Sequence, residues 1–314
     1  MPSRRQFLSQ SLTAVPALSL ACSYWSYAES VPQITISLAE WSLHRALFEN
    51  RLNHLDFPEK AMRDFAIRAV EYVNTFFGTP SLTFQEAGQS SAYLHQLLKR
   101  SQDAGVTNHL IMVDDEGPLA QPADADRLKA VDNHKKWAEA AKLLRCLSIR
   151  VNLHGDGTPE DKKSASIDSL GRLGEFAESM DINVLVENHG QQSSDGSWVA
   201  DVMRQVGMSN VGTLPDFGNF CLSHPWGSTQ DGCDQPYDRY KGVQELLPYA
   251  KGVSAKTYDF DKAGNQPLMD YERLLRIVKS SGFNGYIGVE YEGNAQSEDE
   301  GIRLTKALLE RSLS

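Results

Sequence analysis

Glu187 and His189 stand two residues apart, as do Glu290 with Glu292 and Asn152 with His154. Each pair follows a short apolar run, and so do Asp216 and Lys256. In an extended strand residues i and i+2 share a face, so each pair presents both polar groups in one direction. Runs lying side by side would then aim Glu187, Asp216 and Glu290 at a common centre. Three unshielded carboxylates repel, and protons or a divalent cation must relieve that repulsion. Oxygen-dominated ligation favours Mn²⁺, Mg²⁺ or Co²⁺ over a thiolate-type zinc site, with zinc left open.

The elements that must position these groups follow from periodicity. Eight β-like runs occur: Ile34–Ala39, Ala69–Val73, His109–Val113, Ser148–Leu153, Asn183–Val186, Val211–Leu214, Gly252–Ala255 and Tyr286–Val289. Helical spacing of apolar residues marks Ala125–Leu144, Ser166–Ser179, Tyr237–Leu247, Tyr271–Ser280 and Glu298–Leu313. In the first of these, Leu128, Val131, Trp137, Ala141 and Leu144 recur on one side. Alternation of strand and helix implies parallel strands joined by right-handed crossovers. The expectation is an α/β protein, a single (β/α)8 TIM barrel over residues 29–314. No GxGxxG follows the first strand and no GxxxxGK[ST] occurs, which sets aside the usual nucleotide-binding folds.

In such a barrel every strand end opens on one mouth, where active sites lie. The polar residues collect there: Glu40, Glu71 with Asn74, Asp114 with Asp115, and the groups already named. Leu185 is expected on the inward face with Glu187, and Val184 and Val186 against helices. Trp41 and His44 after the first strand offer an apolar wall for a substrate ring. Asn152, His154 and Glu292 are candidate substrate contacts. The stretch from about Phe217 to Pro236, with His224 and Trp226, is long enough to be a functional loop.

The 314 residues are 41% apolar and 23% charged, an ordinary globular composition. A formal charge of −10 repels phosphate backbones and makes nucleic acid a poor partner. Ser3-Arg4-Arg5-Gln6-Phe7-Leu8 with the apolar stretch to Ala28 reads as a twin-arginine signal peptide, residues 1–28, cleaved after Ser26-Tyr27-Ala28. The expected location is the periplasm or another exported compartment, with no membrane association after cleavage. Cys221 and Cys233 could bridge there. Homo-oligomerisation is left open.

Val-Leu-Val-Glu187-Asn-His189-Gly, Leu-Pro-Asp216-Phe-Gly-Asn219-Phe, Ser-Ala-Lys256-Thr-Tyr-Asp259 and Gly-Val-Glu290-Tyr-Glu292-Gly occur in order at the ends of runs five to eight. Together with Ser37-Leu38-Ala39-Glu40-Trp41-Ser42-Leu43-His44 they resemble the xylose isomerase-like TIM-barrel superfamily. That superfamily includes sugar (phosphate) isomerases and epimerases and the AP endonuclease 2 group. The resemblance implies that Glu187, Asp216 and Glu290 are metal ligands. It also implies that Glu187 and Glu290 serve as base and acid, with His189 or Lys256 shuttling protons or holding a carbonyl oxygen. Two positions depart from the pattern. Ser254 stands where the fourth ligand, a histidine, is usual, and Asn219 replaces a partner histidine. Both argue against a multi-zinc endonuclease site.

The implied activity is metal-dependent isomerisation or epimerisation of a small carbohydrate, by proton transfer next to a carbonyl. Elimination on a 3-keto-glycoside uses the same first step. A non-catalytic sugar-binding barrel is the third reading.

Overall fold

β-branched and aliphatic runs form the strands. In the computed structural model, which describes residues 33–79 and 81–313, they are β1 Ile34–Ala39, β2 Ala69–Val73, β3 Thr107–Met112, β4 Ser148–Val151, β5 Asn183–Glu187, β6 Val211–Leu214, β7 Gly252–Thr257 and β8 Gly285–Tyr291. The expected signal peptide lies outside the described residues. The helices are α1 His44–Phe48, α2 Phe57–Phe65, α3 Phe84–Gln89, α4 Ser91–Asp103, α5 Asp124–Leu144, α6 Pro159–Glu178, α7 Gly196–Val206, α8 Arg239–Leu246, α9 Tyr271–Ser280 and α10 Glu298–Leu313. Among the described residues no helix is long and apolar enough to cross a membrane.

All ladders are parallel, in the order β6-β5-β4-β3-β2-β1-β8-β7. The remaining seam, between β6 and β7, is held by isolated parallel bridges, Thr213 to Ala250 and Asp216 to Ser254. This nearly closed (β/α)8 barrel is the architecture expected from the sequence.

Strand alternation divides the apolar residues into two cores. Ala39, Val73, Leu110, Met112, Leu185 and Leu214 fill the barrel interior. Val184, Val186, Ile149 and Val253 face outward into the larger layer between sheet and helices. On α5, Val131, Trp137, Ala141 and Leu144 are buried as expected, whereas Leu128 is 38% exposed and stands off that stripe. The register between β2 and β3 slips at Val70/Glu71, which leaves His109 as an extra residue. Its ring stacks on Tyr286 at the strand N-terminal end, opposite the mouth.

Close approach explains glycine at two positions beside the site. A Cβ on Gly288 would lie 2.7 Å from Glu71 Oε2, so β8 makes room for that side chain inside the barrel. Gly190 has φ 94°, and a Cβ there would lie 2.1 Å from the Pro225 carbonyl oxygen. The loop after β5 thus fits under the loop after β6. Gln191 N–H donates to the His224 carbonyl, and Cys221 and Cys233 are joined by a disulfide that closes the same loop.

Candidate active site

Glu187 ends β5 and points inward because Leu185, two residues earlier, fills the barrel interior. Asp216 follows β6, and Glu290 lies near the end of β8. All three are buried, and one carboxylate oxygen of each lies within 4.8 Å of the others. Asp216 Oδ1 accepts from the backbone N–H groups of Gly218 and Asn219 at 2.7 and 2.8 Å. Ser254 Oγ lies 2.7 Å from Asp216 Oδ2 and 2.5 Å from Glu290 Oε2. A hydroxyl has one proton to give, so it satisfies one of these two acceptors at a time.

Two buried cations complete the cluster. Arg150, inward on β4, places Nη1 2.6 Å from Asp114 Oδ1 and Nε 2.8 Å from Glu187 Oε2. The second approach is close but out of line, and both Arg150 Nε and Glu187 Oε2 lack a hydrogen-bond partner. Lys256 Nζ donates to Asn219 Oδ1 at 3.2 Å and lies 3.3 Å from Glu292 and 3.7 Å from both Asp216 and Glu290. Asn219 Nδ2 donates in turn to Glu187 Oε1 at 3.1 Å. The residue that replaces the usual histidine therefore bridges an acid and the lysine.

Five carboxylates face two cations, Asp114 and Glu187 around Arg150, and Asp216, Glu290 and Glu292 around Lys256. Charge buried without compensation costs on the order of several kcal/mol per ion. The groups respond accordingly. Burial pushes the Glu187 carboxyl well above the usual range despite Arg150, and Asp216 upward despite Lys256. Burial also pushes Glu290 up to about 7, with Lys256 opposing the rise. Burial disfavours the Lys256 ammonium, but Asp216, Glu290 and Glu292 outweigh it and hold its pKa well above the ordinary value. Arg150 is kept charged in the same way, mainly by Asp114 and Glu187.

The donor set fits a divalent cation. Glu187 Oε2 accepts no hydrogen bond, Ser254 cannot satisfy both its neighbours, and the five carboxylates outnumber Arg150 and Lys256, so protons or a metal must balance the rest. Glu187, Asp216 and Glu290 would hold it through oxygen, as Mn²⁺, Mg²⁺ or Co²⁺ prefer.

A cavity of about 350 Å³ opens beside this cluster, lined by Trp41, Phe48, Asp114, Arg150, His189, Trp226, Glu290 and Glu292 among others. Glu187, Asp216 and Lys256 are buried next to Glu290 at its edge. His189 Nδ1 is 2.9 Å from Asn152 Oδ1. Asn152 Nδ2 donates to Asp114 Oδ1, a carboxylate that can only accept, so the amide orientation is fixed. Hence His189 carries its proton on Nδ1. Burial, then Arg150 and Lys256, hold its pKa well below the ordinary value and the ring neutral, which leaves Nε2 as an acceptor.

The other candidates are distributed as follows. His44 stacks on Trp41 with ring centroids 5.0 Å apart and bonds the Trp41 carbonyl, so it backs the wall and Trp41 faces the cavity. His154 lines a neighbouring cavity. Glu40 turns away from the mouth and holds His54 Nδ1 and the Val73 N–H. Arg150 escaped the sequence reading. Its signal was a charged residue sharing parity with Asn152 on a fully buried strand.

The family model described as xylose isomerase-like TIM barrel matches residues 60–308. An L-ribulose 3-epimerase structure superposes with a TM-score of 0.65 at 12% identity, covering 90% of this chain and 95% of that one. A sugar phosphate isomerase/epimerase from Parabacteroides distasonis gives 0.61 at 16% identity, with 90% and 95% covered. A 3-keto-D-glucoside 4-epimerase from E. coli gives 0.61 at 12% identity, with 89% and 99% covered. A 51-residue segment is 41% identical to the C-glycoside deglycosidase alpha subunit of Arthrobacter globiformis, covering 16% of this chain and 14% of that protein.

Proposed function

We propose that this chain, which belongs to the xylose isomerase-like TIM-barrel family, is a metal-dependent sugar isomerase or epimerase. The observation that carries the reading is the convergence of Glu187, Asp216 and Glu290 on one point beside a sugar-sized cavity. The epimerase and isomerase names of the structural neighbours support it. A divalent cation held by the three carboxylates would stabilise the sugar oxygen on which negative charge develops.

The chain's own groups supply the rest. Glu290 faces the cavity and is the carboxylate placed to abstract and return the substrate hydrogen. Glu187, across the cluster, is the second acid–base group. His189 Nε2 accepts from a substrate hydroxyl, and Trp41 covers the apolar face of the ring. Arg150 and Lys256 hold the surplus charge in place, so the carboxylates need not move as the proton does.

The twin-arginine reading of residues 1–28 favours an exported protein and therefore an unphosphorylated sugar. Incubation with unphosphorylated ketoses in the presence of Mn²⁺ should give an isomer of unchanged mass, and EDTA should stop it. Full activity after complete chelation would reject the scheme. The match to a deglycosidase subunit favours a second reading, elimination from an oxidised glycoside after the same proton abstraction. Release of an aglycone, seen as a loss of mass, would select it.

A further inference from the structure

Beside the main cavity lies a second one of about 160 Å³, and Asp115 and Trp226 line both. Trp226 stands where the two meet. Its indole is 5.2 Å from the His154 ring on the side-cavity face and 5.3 Å from His189, which lines the main cavity. A cavity of about 150 Å³ accommodates a six-membered benzene ring, so this one has room for a single ring.

Its walls carry hydrogen-bonding groups with nothing to bind. His134 is 2% exposed, and Nδ1 lies 2.7 Å from the Ala130 carbonyl oxygen, which can only accept. Nδ1 therefore bears the proton. Burial, opposed by that bond, lowers the pKa to about 4 and keeps the ring neutral, leaving Nε2 as an acceptor without a partner among the described residues. His154 Nε2 is likewise buried and unpartnered. Asp115 adds an exposed carboxylate. The His134 acceptor and the Asp115 carboxylate call for hydroxyl donors and repel phosphate. Val113, Pro118 and Trp226 supply apolar surface for the flat of a ring.

We propose that this side cavity is a second subsite, which binds a hydroxyl-bearing ring joined to the sugar that reacts. The substrate is then a two-ring compound, a ketose-containing disaccharide or a glycoside, and not a free monosaccharide. The proposal rests on the sugar reading above and adds the substrate class.

Calorimetric titration of the Mn²⁺-loaded protein compares D-fructose with turanose, leucrose, isomaltulose and lactulose, which differ in linkage. At least one disaccharide should bind about tenfold or more tightly than fructose. His134→Phe, which keeps a ring of similar size and removes the acceptor, should bring that ratio close to one, whereas His134→Gln, which keeps an acceptor, should retain part of it. Because His134 is buried, Asp115→Asn on the exposed loop serves as the second variant and should lower the ratio several-fold. Fructose binding as tightly as every disaccharide would overturn the subsite and leave the sugar reaction standing. A preference unmoved by His134→Phe and Asp115→Asn would also overturn it. Failure of all five sugars to bind would take down both the subsite and the sugar reading.

Discussion

Glu71 and Glu290 are both buried acids inside the same barrel, and they live under different rules. Glu71, packed across from Gly288 in the layer that floors the site, receives one hydrogen bond, from Ser37 Oγ at 2.6 Å, and its other oxygen has no partner. Burial, only partly offset by that bond, pushes its carboxyl up to about 8, so it is neutral at pH 7. Glu290 lies two residues beyond Gly288 on the same face of β8. It has Ser254 at 2.5 Å, Lys256 at 3.7 Å and a direct view of the cavity. The floor solves the problem of a buried acid by holding a proton. The mouth sets two fixed cations among five carboxylates, and the raised pKa values of Glu187, Asp216 and Glu290 show that protons, or a metal in their place, must make up the difference.

The largest test of this contrast is removal of the acids themselves. Glu187→Gln and Glu290→Gln should each lower kcat by on the order of 10³-fold, the range for loss of a general acid–base group. Glu71→Gln should leave turnover largely unchanged. Steady-state assays of the three variants decide whether mouth and floor differ in function.

Next is the cation that distinguishes the mouth. Lys256→Met leaves Asp216 and Glu290 without their ammonium partner, and breaking a buried pair costs roughly 3–5 kcal/mol. Thermal melts in EDTA should show the loss. Added Mn²⁺ should raise Tm by more in the variant than in the wild type, because the surplus charge is then greater. An equal shift would mean that Lys256 and the metal do not share a site.

The third test concerns the floor. The Glu71 carboxyl titrates at about 8 when folded and near 4.5 when exposed. Below pH 4.5 both states keep the proton and no penalty arises. Between pH 4.5 and 8 the unfolded chain alone releases it, so wild-type stability falls as pH rises, by about 1.4 kcal/mol per unit at most. Glu71→Gln should abolish that contribution, gaining stability over the wild type at pH 8 but not at pH 4. Denaturant titrations at the two pH values check the sign.

The comparison also explains what could be read from the sequence. β1, β2, β6, α9 and α10 lie where periodicity alone places them, because their apolar spacing is uninterrupted. α6 begins at Pro159, not Ser166, since its first turn is polar and is set by the Thr158–Asp161 capping box. β3 begins two residues early because the bulge at His109 breaks alternation. At the mouth, the acids were visible from their spacing at strand ends. Arg150 was not, because a single charge inside an apolar strand gives no motif, and its meaning appears only when Glu187 and Asp114 are set beside it. The side cavity depends on how loops 113–118 and 217–236 meet, which no local pattern encodes.

The central claim is that Glu187 and Glu290 move a proton at the carbon next to a carbonyl. Its most direct test is NMR of a bound ketose turned over in D₂O with Mn²⁺. Deuterium should enter that carbon with the wild-type protein and fail to enter with Glu187→Gln, Glu290→Gln or EDTA. Absence of exchange in a wild type that binds the sugar, or exchange that persists in both variants, would contradict the account.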